Sequence, residues 1–244
     1  MINVALLGGS GGIGSALLSQ LMARDDIATI HSSYHSAQLT ELQRRFTCHG
    51  EHKLHWSKVD VRSEASISAW MANIDSLHWV INCAGILHSD AFSPEKSIKQ
   101  FEAVAFEQNL AVNCLSTLLL AKHVEKKLPR TEFGVFASVT AKVGSIADNR
   151  LGGWYSYRAS KAAANMSLKT LSVEWQRTLP NIRVLALHPG TTDTALSKPF
   201  QKSVPAGRLF TTEYTAANLL SQIEQCHKYP SGRFIAFDGE ELPW

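Results

Sequence analysis

Short apolar runs of β-prone residues alternate along this chain with longer stretches of helical pattern. Apolar residues that recur every three to four positions predict an amphipathic helix, whereas short apolar runs bounded by turn residues predict strands. The predicted strands are Asn3–Leu7, Ala28–Ser32, Leu54–Lys58, His78–Asn82, Gly134–Ser138, Arg183–His188 and Arg233–Phe237. The predicted helices between them include Ser15–Ala23, Gln38–Phe46, Ile67–Asn73, Phe106–Lys127, Tyr157–Thr178 and Thr212–Gln225.

This alternation predicts one domain. Strands that alternate with helices form a parallel sheet, because each right-handed crossover returns the chain to the same end of the sheet. No repeat, low-complexity tract or linker interrupts the chain. We therefore expect residues 1–244 to form a single doubly wound α/β domain of the Rossmann type, with a seven-stranded, mainly parallel sheet and helices on both faces. Ligands of such sheets bind beyond the carboxyl ends of the strands, where the strand order reverses.

Composition and charge exclude several classes of protein. The chain has 244 residues, of which 45% are hydrophobic and 18% charged, as in globular proteins and unlike disordered ones. Its formal net charge of +3 comes from interspersed basic and acidic residues, so no nucleic-acid partner is predicted. Cys48, Cys83, Cys114 and Cys226 form no CxxC pair, and we expect neither a metal site nor a disulfide framework.

The amino-terminal sequence is apolar but short, and it has no basic leader. It is therefore interpreted as a buried first strand and not as a signal peptide. The longest apolar runs are shorter than a membrane span. Together these features predict a cytoplasmic protein without a membrane partner.

The first predicted strand and the first predicted helix are joined by the segment Leu7-Gly8-Gly9-Ser10-Gly11-Gly12-Ile13-Gly14. Glycines let the backbone approach a pyrophosphate closely, and a helix N-terminus offers free N–H groups to an anion. A flexible turn would have the same composition. The position between strand and helix favours a dinucleotide site.

Tyr157 and Lys161 are candidates for proton transfer. They lie four residues apart on a predicted Ala-rich helix, so the phenol and the ammonium share one face. A nearby cation favours the ionised form of a tyrosine and brings its pKa, roughly 10 in model peptides, towards working pH. Such a tyrosine can donate a proton to a carbonyl oxygen as hydride reaches the carbon. By itself a single YxxxK pair is weak evidence, because chance also produces it.

The spacing Gly8-xxx-Gly12-x-Gly14, followed by Tyr157-xxx-Lys161, resembles the short-chain dehydrogenase/reductase family. The resemblance spans nearly the whole chain, and the segment before Tyr157 and the carboxyl-terminal tail resemble the C-factor/sniffer subgroup. One departure is Leu7, which stands where the family usually has a threonine that braces the loop. The resemblance implies an oxidoreductase that moves a hydride between a nicotinamide dinucleotide and a carbonyl or alcohol substrate, with Tyr157 as general acid/base and Lys161 as its activator.

The resemblance implies two further catalytic residues. Asn113 would hold a water that relays protons to Lys161, and Ser138 would hydrogen-bond the substrate carbonyl from the end of the fifth predicted strand. Ser145 is an alternative, because it lies twelve residues before Tyr157 while Ser138 lies nineteen before it. We prefer Ser138, whose place at a strand end is set by the sheet.

The resemblance also assigns residues to the cofactor. Asp60-Val61 would contact adenine, and Asn82-Cys83-Ala84-Gly85 resembles the family's turn after the fourth strand. Pro189–Thr194 resembles the segment that holds the nicotinamide carboxamide. The full expected set is Gly8, Ser10, Gly12, Ile13, Gly14, Ser33, His35, Asp60, Val61, Asn82, Ala84, Gly85, Tyr157, Lys161, Pro189, Gly190, Thr192 and Thr194.

The end of the second predicted strand bears on the choice of cofactor. An acidic residue there would accept hydrogen bonds from the ribose of NAD, but Ile30–Ser36 contains no Asp or Glu. Ser32, Ser33 and His35 can donate hydrogen bonds to a 2′-phosphate, and a partly protonated His35 adds attraction. We therefore expect NADP to be preferred over NAD. Because no Arg or Lys lies in this segment, a turn that accepts both cofactors is the alternative.

Two classes of function agree with these features. The first is a carbonyl reductase or alcohol dehydrogenase, and the second is a dinucleotide-binding signalling or regulatory protein with little or no turnover. The fold cannot separate them, but an intact set of Asn113, Ser138, Tyr157 and Lys161 favours the enzyme. A longer, epimerase-like relative fits less well, because this chain is short for an added substrate domain.

The resemblance also implies a homodimer or homotetramer. Its interface would use the helices Phe106–Lys127 and Tyr157–Thr178, on which Leu118–Leu120 and Leu168–Val173 offer apolar area. Residues 194–212 form a long connection rich in loop formers and are expected to act as a mobile substrate lid.

Overall fold

Seven strands form the central sheet of this chain, and two short strands form a separate parallel pair. The computed structural model describes residues 1–47 and 50–244, with the backbone alone at residue 51. The strands are β1 (Ile2–Leu7), β2 (Ile27–Tyr34), β3 (Leu54–Lys58), β4 (Trp79–Asn82), β5 (Gly134–Val139), β6 (Ile182–His188), β7 (Thr191–Thr192), β8 (Leu209–Phe210) and β9 (Arg233–Ala236). The sheet confirms the predicted fold class.

The order of the large sheet is β3-β2-β1-β4-β5-β6-β9, and its strand pairings are parallel. The order reverses between β1 and β4, so the loops that leave these two strands diverge and leave a crevice between them. Leu7 is in register with Asn82, and Asn82 with Ser138. The carboxyl ends of three central strands therefore meet at one edge.

Helices cover both faces of the sheet. They are α1 (Gly12–Met22), α2 (Leu39–Arg45), α3 (Glu64–Ala72), α4 (Ala103–Leu110), α5 (Ser116–Val124), α6 (Tyr155–Thr178) and α7 (Thr212–Gln225). The predicted helix Phe106–Lys127 is not one regular helix. A π-helical turn at Ala111–Leu115 separates α4 from α5, and a 3₁₀ turn at Glu125–Lys127 ends it.

The stretch Ala103–Lys127 also corrects an expectation about membranes. It spans 25 residues and is apolar enough, by length and composition alone, to cross a bilayer. The prediction that all apolar runs are too short is therefore wrong. In this fold the stretch packs against α3 and α6, as a core helix of a globular domain does.

The amino-terminal half of α6 presents a buried stripe to the sheet. Tyr157, Lys161, Ala164 and Leu168 follow one another at intervals of four, three and four residues, and all four are buried, as on the core face of a helix. Farther along, the Trp175 ring packs edge-on against Phe136 of β5, with ring centroids 5.6 Å apart. This packing places Tyr157 and Lys161 at the carboxyl edge of the sheet.

Candidate active site

Three adjoining cavities lie along the carboxyl edge of the sheet. The Asp60 cavity, of about 440 Å³, is bordered by the ends of β2 and β3 and by the glycine loop. The Lys161 cavity, of about 370 Å³, contacts the same loop and the start of α6. The Trp154 cavity, of about 360 Å³, lies beside Tyr157 and the segment after β6. Shared lining residues join the Lys161 cavity to each of the other two.

The glycine loop has a backbone that other residues could not adopt. Gly8 has a φ of +84°, and a Cβ at Gly14 would lie 2.2 Å from the Gly8 carbonyl oxygen. The Gly8 N–H donates to Ser33 Oγ at 2.8 Å, which braces the loop against β2. Because α1 begins at Gly12, the free N–H groups of its first turn lie at the cavity edge. This arrangement fits the pyrophosphate of a dinucleotide.

Asp60 does not stand alone at the end of β3. Arg62 donates to both oxygens of its carboxylate, from Nε at 3.0 Å and from NH2 at 2.9 Å. These hydrogen bonds lower the pKa of Asp60 to about 2. Arg62 also borders the Asp60 cavity, together with Ser33 and His35. Sequence reasoning missed this cation, because only the folded chain brings the end of β3 beside the end of β2.

Tyr157 and Lys161 share the Lys161 cavity. Lys161 Nζ lies 5.7 Å from the centroid of the Tyr157 ring and donates to the Val139 carbonyl oxygen at 3.2 Å. Burial lowers the pKa of Lys161 to about 8 and raises the pKa of Tyr157 well above its usual value. The expected lowering of the tyrosine pKa is therefore absent here. The phenol keeps its proton at neutral pH, which is the form that can donate to a carbonyl oxygen.

Asn113 lies in the π-helical turn and holds the loop after β4. Its Oδ1 accepts from the Ile86 N–H at 2.8 Å, and its Nδ2 donates to the Ile86 carbonyl at 2.9 Å and to Ser160 Oγ at 2.9 Å. A Cβ built at Gly85 would lie 3.4 Å from Asn113 Oδ1 and 3.6 Å from Lys161 Nζ. The Asn113 amide and the Lys161 ammonium therefore both approach the Cβ side of Gly85, although Asn113 does not itself border the three cavities.

Asn82 and Ser138 lie deeper in the protein than the sequence predicted, since their side chains contact other buried residues and not the cavities. Asn82 Oδ1 accepts from the Ala84 N–H at 2.9 Å, and its Nδ2 donates to Thr117 Oγ1 at 3.0 Å. Ser138 Oγ lies 3.3 Å from the same threonine oxygen. Neither residue borders the three cavities. Asn82 thus braces the turn after β4, and Ser138 lies between the sheet and α5.

The hydroxyl that does border the cavities belongs to Thr140. It lines both the Lys161 and the Trp154 cavities, as Tyr157 does. Its Oγ1 donates to Asn165 Oδ1 at 2.7 Å, and the Asn165 Nδ2 is buried without a partner. The alternative Ser145 is buried, and its Oγ accepts from the Asp148 N–H at 3.1 Å. The Lys161 and Trp154 cavities are therefore bordered by the hydroxyl of Thr140 and not by that of Ser138 or Ser145.

The remaining residues expected at the cofactor gather around the cavities. Every member of that set except Asn82 borders at least one of the three. The predicted set omitted Gly11, Arg62, Ile86, Leu87, His88, Gln108, Val112, Ala195 and Leu196, which also line them. Gly11 belongs to the loop already singled out, but no motif in the sequence distinguishes the others.

Among residues 1–47 and 50–244, no group of three or more His, Cys, Asp or Glu could hold a metal ion. Cys83, Cys114 and Cys226 are free thiols, and burial raises the pKa of Cys83 to about 12. Cys48 lies outside the described residues.

A doubly wound parallel sheet with a glycine loop between its first strand and its first helix has the architecture of the dinucleotide-binding folds. The family model for short chain dehydrogenase matches residues 3–204. The chain belongs to the short-chain dehydrogenase/reductase family, as the resemblance predicted.

Two curated relatives are similar over much of the chain. The 1-hydroxy-2-glutathionyl-2-methyl-3-butene dehydrogenase of Rhodococcus sp. (strain AD45) is 34% identical over 191 residues, which are 76% of this chain and 78% of that protein. The C-signal of Myxococcus xanthus is 32% identical over 137 residues, which are 56% of this chain and 77% of that protein.

Two solved structures share the fold over the whole chain. The carbonyl reductase Sniffer of D. melanogaster superimposes with a TM-score of 0.82 at 20% identity, covering 100% of both chains. The NADPH-bound carbonyl reductase from chicken fatty liver gives a TM-score of 0.85 at 23% identity, covering 100% of this chain and 99% of that one. The similarity to C-signal agrees with the predicted subgroup, and the similarity to Sniffer concerns the fold.

Proposed function

We propose that this protein is an NADP-preferring carbonyl reductase that uses Tyr157 as its proton donor. The observation that carries the proposal is that Tyr157 borders both the Lys161 cavity, which the glycine loop also borders, and the Trp154 cavity beside it. A dinucleotide along the loop and a substrate in the Trp154 cavity would thus both meet the phenol. The bound nicotinamide would supply the hydride.

The other roles in the proposed reaction are assigned to side chains of the protein. The phenol of Tyr157 donates its proton to the carbonyl oxygen, and Lys161 stabilises the phenolate that is left. Asn113 fixes the backbone at Gly85 and Ile86, between the cofactor region and Lys161. Because burial lowers the pKa of Lys161 to about 8, its stabilising charge is present below that pH and is lost above it.

Replacing Tyr157 by Phe tests the proton donor. The Tyr157→Phe variant should lose turnover with every aldehyde and ketone that the wild type reduces, because it lacks the proton. Its affinity for NADPH, measured by fluorescence titration, should change less than about threefold. Tyr155→Phe is the matched control, because Tyr155 lies two residues before Tyr157 on the same helix and is 40% exposed.

Near-normal turnover in Tyr157→Phe would contradict the assignment. A wild-type protein that binds NADPH but reduces nothing in a broad panel would instead favour the second class of function, a dinucleotide-binding regulatory protein. The observation that favours this second class is the similarity of the chain to the C-signal of Myxococcus xanthus.

We further propose that Thr140 contributes the hydroxyl that hydrogen-bonds the substrate oxygen. If the Asn165 amide turns so that Nδ2 donates to Thr140 Oγ1, the buried Nδ2 gains an acceptor, Oδ1 gives up its bond from Thr140, and the hydroxyl proton becomes free for the substrate. Thr140→Val should lower kcat by roughly 10²- to 10³-fold, as loss of a single oxyanion donor does. Ser138→Ala is the control and should change kcat little. The opposite ranking of the two variants, in steady-state assays, would return the role to Ser138.

The proposed preference for NADP rests on the Asp60 cavity. Ser33, His35 and Arg62 offer hydrogen-bond donors there, and the carboxylate of Asp60 is paired with Arg62. Arg62→Gln should reduce the ratio of kcat/KM for NADPH to that for NADH by about tenfold, the loss of one charge-assisted hydrogen bond. Lys58→Gln, at the exposed end of β3, should leave the ratio unchanged. A wild type that uses NADH better than NADPH would refute the preference.

Self-association is proposed through the helices α4 to α6. Leu119, Leu120 and Leu168, which were expected to contribute, are buried in the core. Besides the Tyr155 ring, the large apolar side chains that these helices and the π-helical turn expose are Val104, Leu115, Leu118, Met166 and Val173. Apolar area of this kind favours an interface between copies of the chain.

Sedimentation velocity at micromolar concentration should therefore give a dimer or tetramer. The double variant Leu118→Glu/Met166→Glu should sediment as a monomer, because it places charges within the proposed interface. Ile98→Glu changes a residue of similar exposure on a different element and should not alter the assembly. A monomeric wild type would contradict this proposal.

A further inference from the structure

Trp154 has an unusual backbone conformation. Its φ of 53° and ψ of 42° are left-handed, and among residues 1–47 and 50–244 it is the only residue other than glycine with a positive φ. It follows Gly152 and Gly153, which are also left-handed. Bulky residues rarely adopt this conformation, and they keep it only where the surroundings impose it.

Hydrogen bonds to Glu95 and within the first turn of α6 hold Trp154 in this left-handed conformation. Its N–H donates to the Glu95 carbonyl oxygen at 2.5 Å, and its own carbonyl accepts from the Arg158 N–H at 2.8 Å. The Glu95 carboxylate, which is buried, accepts from the backbone N–H of Ser156 at 3.2 Å and from the Ser156 hydroxyl. Arg158 Nε donates to the Gly153 carbonyl at 3.1 Å. These contacts tie the first turn of α6 to the loop after β4.

The imposed conformation places the indole ring beside the proposed proton donor. Trp154 borders the cavity that carries its name, and its ring centroid lies 6.1 Å from that of Tyr157. It lies 5.0 Å from the ring of Phe200, which belongs to a 3₁₀ turn in the expected lid. The larger aliphatic side chains that line the same cavity are Ile13, Leu87, Val143, Leu196 and Val204. The walls next to Tyr157 are therefore largely apolar and partly aromatic.

We propose that Trp154 determines specificity, and that Trp154 and Phe200 together select carbonyl substrates that carry an aromatic ring next to the reacting carbon. This inference rests on the proposed carbonyl reductase function and names its substrate class. An aromatic ring gains both a large buried apolar area and edge or offset contacts with the two wall rings, whereas a short alkyl chain buries less area and makes no ring contact. The Glu95–Ser156 contacts maintain the wall from outside the cavity.

The test compares benzaldehyde with propanal. Trp154→Asn removes the ring while retaining a residue that tolerates the left-handed conformation. The ratio of kcat/KM for benzaldehyde to that for propanal should fall at least tenfold, because the ring contacts are lost to the aromatic substrate alone. Tyr155→Asn, which removes the neighbouring exposed ring, should leave the ratio at the wild-type value.

Phe200→Ala is a second test of the aromatic wall, and it leaves the left-handed residue Trp154 unchanged. It should lower the same ratio in the same direction, even if Trp154→Asn fails to fold. A ratio within twofold of the wild type in Phe200→Ala, or an equal loss with both aldehydes in the two variants, would overturn the inference. Equal losses are what a purely structural role of Trp154 predicts.

A binding measurement separates this inference from the proposed function. 4-Fluorobenzyl alcohol, added to the protein with NADPH, should give a saturable ¹⁹F NMR shift. The affinity obtained from this titration should be at least tenfold weaker in Phe200→Ala. This result supports the aromatic site even where the wild type reduces neither aldehyde, an outcome that would defeat the reductase proposal alone. Absence of saturable binding to the wild type would overturn the inference whatever the turnover.

Discussion

The close approach of the sheet edge to the start of α6 is the contact on which the site depends. Gly144, in the 3₁₀ turn after β5, lies so near α6 that a Cβ there would be 2.8 Å from the Lys161 carbonyl carbon. The Lys161 ammonium in turn reaches the Val139 carbonyl at the end of β5. A larger residue at Gly144 would push the helix away, and the Tyr157–Lys161 pair would leave the carboxyl edge where the cavities lie. The packing of α6 against the sheet edge therefore determines where the Tyr157–Lys161 pair lies.

The same packing explains the electrostatics of the pair. Burial penalises the charged form of each group, so it raises the pKa of Tyr157 and lowers that of Lys161. The sequence argument considered only the attraction between ammonium and phenolate, and it therefore expected the tyrosine pKa to fall. In the folded chain desolvation is the larger effect. A neutral phenol beside a lysine that still carries charge below about pH 8 suits proton donation to a substrate oxygen.

The parts of the fold that the sequence predicted are those governed by local periodicity. Alternating strands and helices gave the sheet, and the spacing of four residues brought Tyr157 and Lys161 onto one face of α6. The different placement of the Ser138 and Thr140 hydroxyls relative to the cavities shows the limit of this reasoning. Ser138 lies within β5 with its hydroxyl beside Thr117 of α5, whereas Thr140 follows the last residue of that strand and borders the cavities. The pattern of apolar residues does not distinguish these two positions. The π-helical turn at Asn113 leaves no comparable mark in the pattern of apolar residues.

The two halves of the site also differ in how far any sequence pattern could describe them. The cofactor half is built from the ends of parallel strands and the loops that leave them, so its residues come at spacings that the sheet fixes. The proposed substrate half is built from segments outside the sheet: Trp154 before α6, Phe200 within the expected lid, and Leu87 after β4. The short β7–β8 pair joins the two ends of the lid segment, since Thr191 is in register with Leu209. Specificity therefore depends on contacts between segments far apart in the sequence, and these contacts exist only once the sheet has brought the segments together.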